Sequence, residues 1–444
     1  MPPRGIASTF ARGGTSRGLL FRAETLAPYS QAVRDRIILT ALGSPDPAGR
    51  QISGLGGGVS SLSKAAILGI PGEGKEEQQV FGELSGVKWA DDGQRSGVGE
   101  WDLVYRFCQV GVREPVLDWS ASCGNMFAAA ALSAISSPII PYSTLFARTR
   151  SLPRPDFDQP LLFPLSILSA SNGVLMKARV PIDPISLLPW EPNEGEGVEI
   201  AGVPGKDEPG IEVEMPLDAG DGCASAGLVT GSARNVVQLD NGEEVTVSIL
   251  TSGLPNLFLP LSSLSLLSTF STSPLPPNLL TLPSSTLSLH ATLSSTLESI
   301  RVAAAQQFSL PLSLASPKIT LVGAMPEGGY ETTGGGRVEQ KEVDILVRAV
   351  SSGDWHATIP GTTLGAANIG LGTPGSVIHE LGTGPSSLTD GVITIRAAHA
   401  AGVAESSVRF QGGKPESVVM VRTAREIMKG EVMVPERIFW EGQQ

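Results

Sequence analysis

Cysteine and histidine are both scarce here, with three and four copies in 444 residues. Cys108, Cys123 and Cys223 are widely spaced and odd in number, so no disulfide framework is expected, which favours a reducing compartment. No CxxC occurs, and His290, His356, His379 and His399 show no HxxxH spacing, so no metal site is expected. Aromatic residues make up only 5%. No run reaches the ~20 apolar residues that a membrane-spanning helix requires, so no membrane partner is expected. Basic residues are in deficit too. The net charge of −12 argues against nucleic acid, which needs a surface of clustered Lys and Arg. A small anionic guest is still allowed, because a local basic pocket can sit inside an acidic protein. Such a pocket would be built from few residues.

What is present begins with length. A chain of 444 residues is too long for one ordinary core, so two domains of roughly 200 residues each are expected. The 52 glycines and 34 prolines point to many turns and strands. Residues 1–23 carry Arg4, Arg12, Arg17 and Arg22 with no acidic residue, a composition that superficially suits a mitochondrial transit peptide. RGGTSRG at 12–18, however, reads as a folded functional loop that could not be removed. Cytoplasm is the expected location.

Along the chain, 5–23 reads as strand, loop and strand, and 31–42 has helical spacing. Residues 101–118 alternate like paired strands. Cys123-Gly124-Asn125 then opens an alanine-rich run, a strong helix start. Strands are expected within 167–182 and 198–216, and Asn241-Gly242 signals a hairpin. The Ser-, Leu-, Thr- and Pro-rich stretch 260–297 reads as a surface insertion with some helix and no functional role. A helix at 297–308 and strands near 391–402 and 417–428 follow. The segment 359–377 echoes the Cys123 region, a small polar turn leading into an alanine-rich helix, which suggests an internal duplication.

The stretch SGLGGGVSSLSKAAILGI at 53–70 carries the most chemistry. A glycine-rich loop lets a ligand approach backbone N–H groups at a helix start, and the hydroxyls of Ser60, Ser61 and Ser63 add donors. Lys64 would supply a full charge and, once desolvated, a base. We expect Lys64 where a helix begins, although KAAILGI is too short for its period to exclude a buried strand. The loop is neither a Rossmann fingerprint nor a Walker loop: Val59 stands at the third glycine position, and Ala65 follows the lysine. Ser61 and Lys64 form an SxxK pair, as in serine acyl hydrolases, without the SDN and KTG strings that accompany it there. Cys123, at a helix start, is exposed to a field that favours thiolate and proton exchange. Cys108 reads as core. His356 and His399 are candidate polar contacts.

Six segments then stand in a familiar order: RGGTSRG (12–18), GLGGGVSSLSK (54–64), CGN (123–125), PKITLVG (317–323), DILVRAVSSGDWHATIPGT (344–362) and TPGSVIHE (373–380). Together they resemble the PrpF family of methylaconitate isomerases, aconitate Δ-isomerases and oxalomesaconate tautomerases, over about residues 8–435. The resemblance implies an α+β fold of two diaminopimelate-epimerase-like domains, 1–190 and 191–444, each a central helix wrapped by a curved, mostly antiparallel sheet. The active site would lie between them. It implies cofactor-independent proton transfer on an aconitate-like di- or tricarboxylate, as an allylic proton shift or a cis-trans isomerisation, with Lys64 as base or acid and Cys123 as its partner. Thr15, Ser16, Arg17, Ser60, Ser61, Gly124, Asn125, Thr362 and His399 are then expected to bind substrate. Arg17 replaces a common Lys, Leu254 replaces an Asn, and the usual Pro after His399 is missing. An epimerase of another small acid, an acyl hydrolase using Ser61 and a non-catalytic anion-binding protein are the alternatives, and a homo-oligomer is left open.

Overall fold

A computed structural model describes residues 2–70, 101–120, 122–153, 159–171, 173–217, 227–383, 390–412 and 414–440. Cys223 lies outside the described residues. The chain forms two compact units. One comprises Met1–Ile200, Gly205–Glu214 and Val421–Gln444, and the other Ala201–Pro204 and Met215–Met420. The sequence reading runs the second domain to the terminus, but the last strand, Ala424–Val434, pairs with the first, Arg4–Gly13.

In the first unit, Arg4–Gly13 and Ser16–Arg22 form the hairpin expected around RGGTSRG. Ser16–Arg22 then runs parallel to Lys64–Gly69, with Gly18 opposite Lys64. A parallel pair needs a crossover, and the helix Gln31–Leu42 supplies it. Leu103–Val110 returns antiparallel, placing Gln109 opposite Lys64. It also runs parallel to Leu161–Ser169, which forms a hairpin with Val174–Ile182. The helix Gly124–Ser136 is buried from Gly124 to Ile135. Its Ala-rich sequence fits, since small side chains let strands approach it from all round.

The second unit repeats this succession. Glu244–Thr251 and Pro255–Pro260 form a hairpin, and Pro255–Pro260 runs parallel to Lys318–Gly323. Ile345–Ser351 returns antiparallel and runs parallel to Gly391–His399, which pairs with Gly402–Gln411. The buried helix Gly361–Leu371 stands where the first unit has Gly124–Ser136. The duplication suggested by two similar helix starts therefore extends to the whole strand order, and the α+β architecture is the one expected.

Two expectations need correction. Lys64 does not begin a helix: Ser60–Leu62 makes a single 3-10 turn, and Lys64 opens a fully buried strand. The 260–297 stretch is not a surface insertion. It forms much of the crossover between two parallel strands, and Leu264, Leu267, Phe270, Leu279, Leu280, Leu287, Leu293 and Leu297 belong to the second unit's core. Among the described residues, no helix is long and apolar enough to cross a membrane.

Candidate functional site

Lys64 is buried, with 7% of its surface exposed. Its Nζ donates to Gln109 Oε1 at 2.5 Å and lies 5.2 Å from the centre of the Phe107 ring. Strand register creates this contact, because Gln109 faces Lys64 across the antiparallel pair. Gln109 is itself fixed: its Nε2 donates to the carbonyls of Ser60 and Ser63, both at 3.0 Å. Burial lowers the Lys64 pKa below the usual ammonium range, and Cys123 and Cys108 act weakly in the opposite sense. An amine held this way is more easily deprotonated than a surface lysine.

Cys123 caps the helix Gly124–Ser136 in an extended conformation and is partly exposed. Its carbonyl accepts from Phe127 N at 2.9 Å and from the Tyr105 hydroxyl at 3.1 Å. The thiol therefore sits at the positive end of a buried helix, and the strand Leu103–Val110 holds both Cys123, through Tyr105, and Lys64, through Gln109. Both groups come from the first unit. Cys108 is fully buried in that unit's core, and burial pushes its thiol pKa well up. It is a packing residue, as expected.

The RGGTSRG turn rests on the start of the same helix. Asn125 Nδ2 donates to Thr15 Oγ1 at 3.2 Å and to Ser16 Oγ at 3.3 Å. Glycine is required there: a Cβ on Gly13 would stand 1.9 Å from the Asn125 carbonyl oxygen, and Gly14 has φ +48°. Arg17 stacks over Phe10, its guanidinium 5.1 Å from the ring centre. Two glycines of the 54–58 cluster have close backbone neighbours within the chain. A Cβ on Gly54 would meet Gly43 N at 2.1 Å, and one on Gly58 (φ +74°) would meet the Gly49 carbonyl oxygen at 2.3 Å. Gly54 and Gly58 thus pack the loop onto the end of the preceding helix and the turn after it.

The first unit thus brings Lys64, Cys123, Gly124, Asn125, Thr15 and Ser16 together, with Ser60 holding Gln109. Ser61 lies in the 3-10 turn, and among the described residues no hydrogen bond joins it to Lys64, so the contact an SxxK hydrolase needs is missing. Thr362 and His399 belong to the second unit. Thr362 is in the first turn of Gly361–Leu371, and its carbonyl accepts from Ser252 Oγ at 2.8 Å. His399 ends its strand, buried, with Nδ1 accepting from Ala401 N at 3.2 Å. His356 is likewise buried in that unit.

Sequence reasoning missed three residues: Gln109, Tyr105 and Arg422. The first two lie on a strand read only as alternating. Arg422, 6% exposed, precedes the last strand and donates from Nε to Asn125 Oδ1 at 3.0 Å. Among the described residues, no group of three or more His, Cys, Asp or Glu is placed to hold a metal ion.

The PrpF protein family model matches residues 4–84 and 94–435. The chain belongs to the PrpF family. Members similar to it include the 2-methyl-aconitate isomerase of Shewanella oneidensis, 28% identical over 440 residues and covering 97% of each chain. The 3-methylitaconate isomerase of Eubacterium barkeri is 26% identical over 439 residues, again covering 97% of each. The 4-oxalomesaconate tautomerase of Pseudomonas putida is 27% identical over 445 residues, covering 99% of this chain and 98% of its own. In fold, this PrpF chain matches the crystal structure of a methylitaconate-delta-isomerase with a TM-score of 0.66, at 24% identity and over 100% of both chains.

Proposed function

We propose that this protein moves a double bond in an aconitate-like unsaturated tricarboxylic acid by transferring an allylic proton, with Lys64 and Cys123 as the proton-handling pair. That it is an isomerase follows from its family and from relatives named as isomerases and tautomerases across nearly the whole chain. The finer reading is carried by one observation: a buried amine and a helix-capping cysteine from the same unit are both held by the strand Leu103–Val110, Lys64 through Gln109 and Cys123 through Tyr105.

In this reading the neutral Lys64 amine removes the allylic proton, breaking one C–H bond. The electron pair moves through the double bond toward a substrate carboxylate, giving a dienolate. A new C–H bond forms at the far end of the allyl system with a proton from the Cys123 thiol, or from Lys64 itself. Atoms and electrons balance with no oxidant, so this step needs no redox cofactor. Donors at the start of Gly124–Ser136 oppose the charge that develops.

The test is incubation with a panel of aconitates, methylaconitates and itaconates in D₂O, followed by proton NMR. Deuterium should enter the allylic carbon, and Lys64→Met should slow this by about 10²–10⁴-fold. A Lys64→Met enzyme that keeps full rate would remove Lys64 from the role.

A further inference from the structure

Arg422 is a buried cation without a counter-ion. Its Nε donates to Asn125 Oδ1 at 3.0 Å and its Nη1 to the carbonyl of Val421 at 2.8 Å. Both partners are neutral. Among the described residues, Nη2 has no protein acceptor, and no carboxylate forms an ion pair with this side chain. Two other arginines in the same unit are matched by carboxylates: Arg12 with Glu208 at 2.9 Å, and Arg148 with Asp102 at 2.5 Å. A buried charge left unpaired in the folded chain is costly, so an anion placed beside it is stabilised.

The position of this cation names the ligand. Arg422 touches the second residue of the helix capped by Cys123, and Asn125 links it to Thr15 and Ser16. Asn125 stands two residues after Cys123, so Arg422 meets the helix start that carries the thiol. We propose that Arg422 anchors one carboxylate of the substrate beside Cys123, at the end of the allyl system remote from Lys64. The inference rests on the isomerase reading for the identity of the guest. It adds that the substrate class is restricted to acids with a carboxylate at that end. It also gives the dienolate a fixed positive charge toward which electrons move.

The experiment uses the full chain and tricarballylate, a saturated tricarboxylate that cannot isomerise. Affinity is measured by calorimetry for the wild type, Arg422→Gln, Arg422→Lys and Asn125→Asp, with melting curves on each. Losing a charge-assisted contact to a carboxylate should weaken binding by about 10–150-fold in Arg422→Gln, and by less in Arg422→Lys. Asn125→Asp leaves the arginine in place and sets an internal carboxylate against its Nε. It should weaken binding similarly, and it decides the matter where Arg422→Gln melts early. Wild-type affinity in a folded Arg422→Gln or in Asn125→Asp would overturn the proposal. The two readings fail separately. Loss of tricarballylate in the variants with no deuterium exchange in the wild type would keep the anchor and sink the allylic proton transfer. Deuterium exchange with wild-type KM in Arg422→Gln would do the reverse.

Discussion

Lys64 is held where its charge is a burden on the fold. Desolvation lowers its folded pKa, while in the unfolded chain it titrates near the ordinary value of about 10.4. Between those two pH values the unfolded state binds more protons, so this group's contribution to stability rises with pH. It levels off above the unfolded value. The melting temperature of the wild type should therefore gain on that of Lys64→Met as pH rises toward about 10.4. A constant gap from neutral pH upward would mean the amine is not desolvated. Activity has its own signature. A base must be neutral, so the rate should climb through the depressed Lys64 pKa as pH rises. Gln109→Glu sets a carboxylate against Nζ, and an opposite charge at that range favours the ammonium, by about 1–3 pH units. The rising limb should move up by that amount, with the neutral-pH rate falling at least about 10-fold. An unmoved limb would show that another group titrates. Lys64 and Cys123 were legible because each stands in a short local motif. Gln109, Tyr105 and Arg422 were not, because strand register and a contact across 297 residues of chain bring them in.

At the level of elements, composition misled where a topological demand overrode it. Parallel pairing of Pro255–Pro260 with Lys318–Gly323 obliges the chain to cross over, and 261–317 is that crossover. Its serines, threonines and prolines break 261–288 into helices of five residues or fewer before the 17-residue helix Ala291–Gln307, and most of its leucines turn inward. Leu287 is fully buried. Leu287→Ala should cost about 2–5 kcal/mol in a urea titration. A change under about 0.5 kcal/mol, the usual range for surface substitutions, would restore the view of a decorative insertion. The Gly-rich loop was legible only in part. Glycine signals close backbone approach, but sequence does not say what approaches, and here it is Gly43 and Gly49 of the same chain. The hairpin around RGGTSRG and the helix after Cys123 were legible, since turn glycines and an alanine run leave few alternatives.

The whole molecule is one plan used twice, and only part of that plan could be seen in the sequence. Two alanine-rich helix starts hinted at duplication, whereas the matching strand order rests on pairings between residues far apart. The hidden feature with most consequence is the return of Val421–Gln444 to the first unit. Its strand pairs with Arg4–Gly13 from Arg4 opposite Val434 to Gly13 opposite Ala424. Val434 joins Ile6 and Phe10 in that unit's core. The same segment brings Arg422 to Asn125, so the piece of chain that completes the first unit's sheet also completes its candidate site. Stability and anion binding should then be lost together. A chain ending at Met420 should fall by more than about 3 kcal/mol in stability, since burying a single large apolar side chain contributes roughly 1.5–3 kcal/mol and several are uncovered. It should also lose tricarballylate binding. Urea titration and calorimetry on the shortened chain decide the point, and a wild-type unfolding midpoint would refute the claim that this terminal strand belongs to the first unit's core.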